Sequence, residues 1–388
     1  MLVLNAGSSS LKAAIFDAVS GQRLASGTLQ GSDASGAMDD PGAALAWTLR
    51  VLEPQAPAAF ATLGAVGHRI VHGGARHPRP VRVDAAVEAD IDACSVLAPL
   101  HNPPALAVLR AARARFGSLP QVAVFDTSFH STLPEAAWRY ALPRALVERH
   151  GLRRYGFHGI SHASVMRRCA AALGQPAGAL RVISAHLGAG GSVAAIDRGR
   201  SVDTSMGLTP LEGLVMGTRA GDLDPGLLLH LQREAQLSSA ALEALLNRGA
   251  GLLALAGTAD MAQIERRATG GDADCALAIE VYVHRLRRYL GAMAAVLGGV
   301  DAIAFTGGIG EHSVRIRAGA CAGLGFLGAQ VDPARNALAV VSHDDPVATI
   351  SLPGSTVRLL VIAADEERAI AEEVETALSG RSGNEWAS

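Results

Sequence analysis

Two stretches of this chain repeat one pattern, and no other feature limits its fold as much. VLNAGSSSLKAAIFD, residues 3–17, and ISAHLGAGGSVAAID, residues 183–197, each run apolar strand, small flexible loop, apolar strand, aspartate. A plain hairpin needs only a tight turn, whereas these loops carry enough hydroxyls and backbone N–H groups to face an anion. Gly and Ser are also ordinary turn residues, so two unrelated glycine-rich hairpins would read alike. A third loop favours the functional reading. DAIAFTGGIGEHS, 301–313, places Gly307, Gly308 and Gly310 between a buried strand and a helix expected to start near His312, where backbone approaches a ligand closely. The expectation is a degenerate duplication whose loops grip a polyphosphate.

The 388 residues suffice for two domains, each with its own core. Strand patterns such as QVAVFD, 121–126, RVISAHL and SVAAID alternate with helical periodicity over 43–52, 84–96, 103–116 and 161–173, which predicts an α/β fold. A third strand is expected over 23–29, and a strand followed by an amphipathic helix closes the chain at RLLVIAADEERAIAEEVETAL. A net charge of −2 leaves no cationic excess for a nucleic-acid backbone or an anionic membrane, so small molecules are the expected partners. Cys94, Cys169, Cys275 and Cys321 lie far apart without a CxxC pair, as expected of thiols in a reducing cytosol. The chain opens without a secretory leader pattern, and the apolar stretch 290–310 is broken by Asp301 and glycines, so no membrane span is expected.

The chemistry-bearing residues sit among small neighbours. Arg69 in GHRIVHGG and Arg219 in VMGTRAGDLDPG offer planar donor forks that suit a carboxylate or a phosphoryl group, although most arginines make surface ion pairs. In RRYGFHGISHASV, His158 and His162 are four apart, but the glutamate of HExxH and a third metal ligand are missing. His158 reads instead as a donor to an oxyanion at a helix entrance, and His162 as structural. Asp126 ends its strand, where ligands of open α/β sheets bind; it can orient a catalytic group, hold a metal water, act as a base or close an Asx turn. Asp365, Glu366 and Glu367 are helix-start acids or, if one faces the ligand, metal carriers. GxSxG, Walker A and the protein-kinase signatures are absent from the sequence.

Taken together, NAGSSSLK, HRIVHGG, APLHNP, VFDTSFH, YGFHGISH, DTSMGLTPLEGLVMGTRAGDLDPG and FTGGIGE make the chain resemble the acetate kinases nearly end to end. That family belongs with the sugar kinases, heat-shock ATPase chaperones and actin. The resemblance implies a two-domain, duplicated ribonuclease H-like α/β fold around a central interdomain cleft. It implies an N-terminal domain of residues 1–128 plus 366–388 and a nucleotide-binding and dimerisation domain of 129–365. It implies reversible in-line transfer from ATP to acetate, with Mg²⁺ or Mn²⁺, in a cytoplasmic homodimer; propionate or another phosphoryl donor, and a non-catalytic nucleotide switch, are the alternatives.

Carried over by position, the resemblance makes Asn5 and Glu366 the Mg²⁺ positions, and Arg69, Asp126, His158 and Arg219 the catalytic set. Val71, Leu100, Phe157 and Pro210 become the acyl pocket, with Arg69 also touching substrate. Ser8, Ser10, Lys12, His186, Leu187, Gly188, Ala189, Gly190, Asp260, Gly308, Ile309, Gly310 and Glu311 become nucleotide and phosphate contacts. The departures are Ala189, Ala262 and His312, where the family usually has asparagine, arginine and asparagine. All three fall on the nucleotide side, so weaker ATP binding or relaxed nucleoside choice is expected. The helix expected over 273–297 carries the apolar face that supports a dimer.

Overall fold

The structure is a computed structural model that describes residues 1–7, 10–30 and 40–380. Ser8, one of the expected phosphate contacts, lies outside them. The chain divides into two compact units. The first comprises Met1–Ser131, Phe157–Ser164 and the C-terminal helix Glu366–Ser379, and the second comprises Thr132–Gly156 and Val165–Ala364.

The first unit holds β1 (Leu2–Ala6), β2 (Ser10–Phe16), β3 (Arg23–Gln30), β4 (Val66–Ile70), β5 (Val81–Arg82) and β6 (Gln121–Phe125), in the order β3-β2-β1-β4-β6-β5. β1 runs antiparallel to β2 and parallel to β4, β4 runs parallel to β6, and β5 is antiparallel to β6. Both faces of this sheet are covered, which is why β1 is a continuous apolar run rather than an alternating one. Leu2, Leu4 and Ala6 join one cluster with Leu45, Leu52 and Leu109. Val3 points the other way, to Phe16, Val124 and the Ile370 and Val374 stripe of the C-terminal helix. Full burial of each such side chain stabilises the fold by about 1.5–3 kcal/mol.

The second unit holds β7 (Arg181–Leu187), β8 (Gly191–Asp197), β9 (Arg200–Thr204), β10 (Ala302–Thr306), β11 (Val347–Thr349) and β12 (Arg358–Ile362), in the order β9-β8-β7-β10-β12-β11. Its first three strands form an antiparallel meander, β7, β10 and β12 are parallel, and β11 is antiparallel to β12. The topology therefore repeats that of the first unit strand for strand. Even the irregularity recurs, with register shifts at Ile15/Phe16 and at Ala195/Ile196. The duplication expected from the two hairpins is present in the sheets.

Two expectations need correction. GGIGEH is itself helical: Gly307–His312 forms one short helix ahead of the helix expected near His312, which starts at Val314. Gly307 makes the entry turn at φ +77°, and a Cβ there would meet the Leu187 carbonyl oxygen at 2.8 Å. Ser313 then caps a separate helix, Val314–Cys321, through the Ile316 N–H at 3.0 Å. The second correction concerns Ala273–Leu297, whose apolar stripe of Cys275, Ala278, Ile279, Tyr282, Leu286, Leu290, Met293 and Ala294 is spent inside the core of its own unit. That stripe is no argument for a dimer. Among the described residues no helix is long and apolar enough to cross a membrane. Cys169, Cys275 and Cys321 are buried and Cys94 is half-buried, all as free thiols.

Candidate active site

In the first unit, four elements bring polar side chains to the carboxyl ends of the parallel strands. Asn5 comes from β1, Arg69 from β4, Asp126 from the residue after β6, and Glu366 from the first turn of the C-terminal helix. Asp365 caps that helix by accepting the Arg368 N–H at 3.2 Å and pairs with Arg23 and Arg368. Asp365 is thus structural, and Glu366 and Glu367 are the acids left to face Asn5.

Arg69 is the hub. Its Nε donates to both oxygens of Asp126 at 3.3 and 3.2 Å, its Nη2 to Oδ2 at 2.7 Å, and its Nη1 to Asn5 Oδ1 at 3.1 Å. Nη1 also lies 3.9 Å from Glu366 Oε2. Burial opposes the Arg69 charge, but Asp126 and Glu366 outweigh it and raise its pKa. Burial raises the Asp126 pKa in turn, Arg69 opposes the rise, and Glu366 adds to it. A guanidinium so anchored has a fixed plane, which orients its unsatisfied donors.

Asn5 turns its Nδ2 to Glu366 Oε2 at 2.9 Å and to Glu367 Oε1 at 2.8 Å. Mg²⁺ keeps several waters and takes one or two carboxylates. Glu366 and Glu367 supply these, whereas Asn5 has its amide oxygen on Arg69. The donor set fits an aquated Mg²⁺ held through the carboxylates, and does not fit direct ligation by Asn5. Among the described residues no group of three or more His, Cys, Asp and Glu is arranged to hold a metal. Glu367 was not separable from Glu366 in the sequence, where both are helix-start acids.

The expected acyl-pocket segments of this unit are tied together. Val71 is buried at the end of β4. Its neighbour His72 donates its N–H to Asn102 Oδ1 at 3.0 Å, and Asn102 Nδ2 returns to the His72 carbonyl at 2.9 Å, which links Val71 to the Leu100 segment. The His72 ring meets buried Phe157 edge-on at 5.5 Å. His72 and Asn102 are missed positioning residues, although both stand inside the motifs HRIVHGG and APLHNP.

His158 adopts φ +57°, a left-handed backbone uncommon for a non-glycine residue, directly before the helix Gly159–Leu173. Gly159 packs against Asp126: its N–H donates to the Asp126 carbonyl at 2.8 Å, and a Cβ would stand 2.3 Å from that oxygen. His162 is fully buried and meets His130 edge-on, as expected of a structural residue. Half-buried Ser10 and exposed Lys12 lie on β2, Lys12 directly across from Asn5 in the ladder.

In the second unit, His186 and Leu187 end β7, and Gly188–Gly190 form the tight turn into β8, closed by Gly188 N–H to Gly190 O at 2.9 Å. Gly217 N–H donates to the Ala189 carbonyl at 2.9 Å, which ties this turn to the Arg219 segment. Arg219 donates Nη1 to the Pro210 carbonyl at 2.8 Å and has no carboxylate partner among the described residues. Burial lowers its pKa. Asp260 caps the helix Met261–Thr269 through the Ala262 N–H at 2.9 Å, and Ala262 borders an open depression with Glu265, Arg266 and Thr269. Gly308, Ile309, Gly310 and Glu311 lie in the short helix Gly307–His312. Fully buried Arg317, which no motif announced, holds that helix by its Gly310 and Glu311 carbonyls at 3.0 and 2.7 Å. His312 is exposed and turns Nδ1 to the Gly308 carbonyl at 2.8 Å.

Comparison with known proteins agrees with this chemistry. The model of the Acetokinase family matches residues 1–372. A relative from Leifsonia xyli subsp. xyli, named acetate kinase, is 48% identical over 390 residues that cover 96% of this chain and 97% of the relative. The crystal structure of Porphyromonas gingivalis acetate kinase superposes with a TM-score of 0.88 at 36% identity, covering 97% of this chain and 99% of that one. A propionate kinase from Francisella tularensis superposes with a TM-score of 0.85, also at 36% identity, covering 96% and 98%.

Proposed function

The chain belongs to the Acetokinase family, and on that premise we propose that it transfers the γ-phosphoryl group of ATP reversibly to acetate. An acetate oxygen attacks the γ-phosphorus, the bond to the β-phosphate oxygen breaks, and acetyl phosphate and ADP leave. No enzyme nucleophile takes part. The observation that carries this reading is the hub of Arg69 with Asp126, Asn5 and Glu366, at the strand ends of a repeated α/β scaffold.

A loose, metaphosphate-like transition state spreads charge over three equatorial oxygens, so catalysis consists of positioning and electrostatic stabilisation. Arg69, fixed in plane by Asp126, presents its donors to acyl and phosphoryl oxygens. Arg219, half-buried and without a carboxylate partner among the described residues, adds positive charge to a transferring phosphoryl group. His158 donates a hydrogen bond to a transferring oxygen, and its left-handed backbone is strain of about 1–3 kcal/mol of the kind kept at working sites. Glu366 and Glu367 would hold an aquated Mg²⁺, which when bound would supply positive charge at the phosphate oxygens of the nucleotide. Val71, Leu100, Phe157 and Pro210 form the wall against the short acyl chain. The turn Gly188–Gly190, the segment Gly308–Glu311, Ser10, Lys12 and Asp260 serve the nucleotide. The protein works as a homodimer in the cytoplasm, a reading that rests on the family alone.

Ala189 and Ala262 remove, and His312 replaces, the side chains that the family usually has on the nucleoside side, so discrimination between nucleosides is weak. A hydroxamate assay with acetate and several donors tests the reading. Acetyl phosphate formation from ATP, with GTP accepted at comparable kcat/KM, is the expected result. Absence of product with every nucleoside triphosphate would overturn it.

A further inference from the structure

Between Thr204 and Pro225 the chain forms neither helix nor strand, yet Ser205, Met206, Leu214, Val215 and Met216 are buried within it. A long irregular segment packed this firmly has a task. It carries both Pro210 and Arg219, and it is fastened twice by the same trio of tyrosine, carboxylate and arginine.

At the first fastening, Tyr140 Oη donates to Glu212 Oε2 at 2.9 Å and accepts the Leu208 N–H at 2.8 Å. Arg154 pairs with the other Glu212 oxygen and donates Nη1 to the Thr204 and Ser205 carbonyls at 3.2 and 3.3 Å. At the second, Tyr289 Oη lies 3.0 and 2.9 Å from the two Asp222 oxygens, and Asp222 Oδ1 accepts the Gly213 N–H at 2.8 Å. Arg285, one turn before Tyr289 on the helix Ala273–Leu297, donates to the Gly213 and Asp222 carbonyls at 3.1 and 3.2 Å and stands 3.7 Å from Asp222 Oδ2.

Glu212 is two residues from Pro210 and Asp222 three from Arg219, yet among the described residues neither pairs with Arg219. Instead each is occupied by its own arginine and tyrosine. Burial pushes the Tyr140 hydroxyl up to about 12 and raises that of Tyr289 as well, with Glu212 and Asp222 adding to the respective shifts. Both therefore stay protonated donors at any working pH. The fastenings fix the segment and leave the Arg219 charge uncompensated.

We propose that Tyr140 with Glu212 and Tyr289 with Asp222 are positioning residues for Arg219, aiming its guanidinium at the transferring phosphoryl group while keeping carboxylates off it. This rests on the role given to Arg219 under the proposed function. Tyr140→Phe and Tyr289→Phe are each expected to lower kcat about tenfold, since small misplacements of a catalytic group are costly, with the KM for ATP changed less than twofold. In an Arg219→Ala background the same substitutions should cause no further loss, because the group they position is gone. Equal losses in both backgrounds, or a thermal midpoint shift with unchanged kcat, would overturn the proposal. Wild-type kcat in Arg219→Ala itself would overturn the underlying role of Arg219 and the proposal with it, and is read separately from the tyrosine variants. The single Tyr→Phe variants keep ring shape, so each is measurable without the other.

Discussion

The two sheets share one topology and differ at their strand ends. By hairpin register and sheet face, Asn5 and Arg69 of the first sheet correspond to His186 and Thr306 of the second. Asn5 and Arg69 join Asp126 in a charged network, whereas His186 and Thr306 are buried polar residues. Duplication supplied the scaffold twice, and the first copy places its arginine and aspartate on the central strands. The second unit takes its arginine from an irregular segment instead. The two arginines differ accordingly, since Arg69 is bound by Asp126 and approached by Glu366, while Arg219 has, among the described residues, a carbonyl partner and no carboxylate. A half-buried guanidinium without a carboxylate carries part of its desolvation cost unrelieved, which an anionic ligand offsets.

Matched substitutions sharpen this contrast. Arg69→Ala should lower kcat/KM for acetate by on the order of 10³-fold, the scale of an arginine on a transferring phosphoryl group, and should also lower the thermal midpoint, because it leaves buried Asp126 unpaired. Phe305→Ala, on the core face of β10 beside the matching residue Thr306, should leave the polar chemistry in place and cost about 3–5 kcal/mol of stability by denaturant unfolding, because it opens a core cavity. If Phe305→Ala instead removed activity without destabilising the protein, the assignment of the second sheet to scaffold would be wrong.

His68 offers a third test beside Arg69 on β4. Burial drives its pKa down to about 4, against a hydrogen bond from its Nε2–H to Gln121 Oε1 that raises it. A depressed folded pKa means that stability is fully present above the unfolded value of 6.5 and is lost as pH falls towards 4. The loss should approach about 3 kcal/mol. His68→Asn should flatten the pH profile of unfolding over that range; an unchanged slope would contradict the buried neutral imidazole.

How much of this the sequence carried depends on the kind of signal. The duplicated hairpins, the strand-end carboxylate Asp126 and the glycine-flanked Arg69 were legible, because alternation, strand termination and small neighbours are local. The helix at Gly307 was not, since glycine reads as a helix breaker and only the close approach to Leu187 requires it. The stripe of Ala273–Leu297 has the same period whether it faces a core or a partner, so periodicity could not choose. Arg317, Tyr140 and Tyr289 act through contacts distant in sequence and had no local signature.

The smallest expected effect concerns the acyl wall. Val71→Ala should improve propionate over acetate in kcat/KM by about 1 kcal/mol, or several-fold, as room opens for one methylene. An unchanged ratio would remove Val71 from the pocket.

The direct test of the account is acetyl hydroxamate formation from acetate and Mg-ATP by the native protein and by Arg219→Ala, with folding followed in parallel. Acetyl phosphate is expected from the native protein, with a loss on the order of 10³-fold in a folded variant. Undiminished turnover by Arg219→Ala would contradict the claim that an uncompensated, half-buried arginine drives phosphoryl transfer.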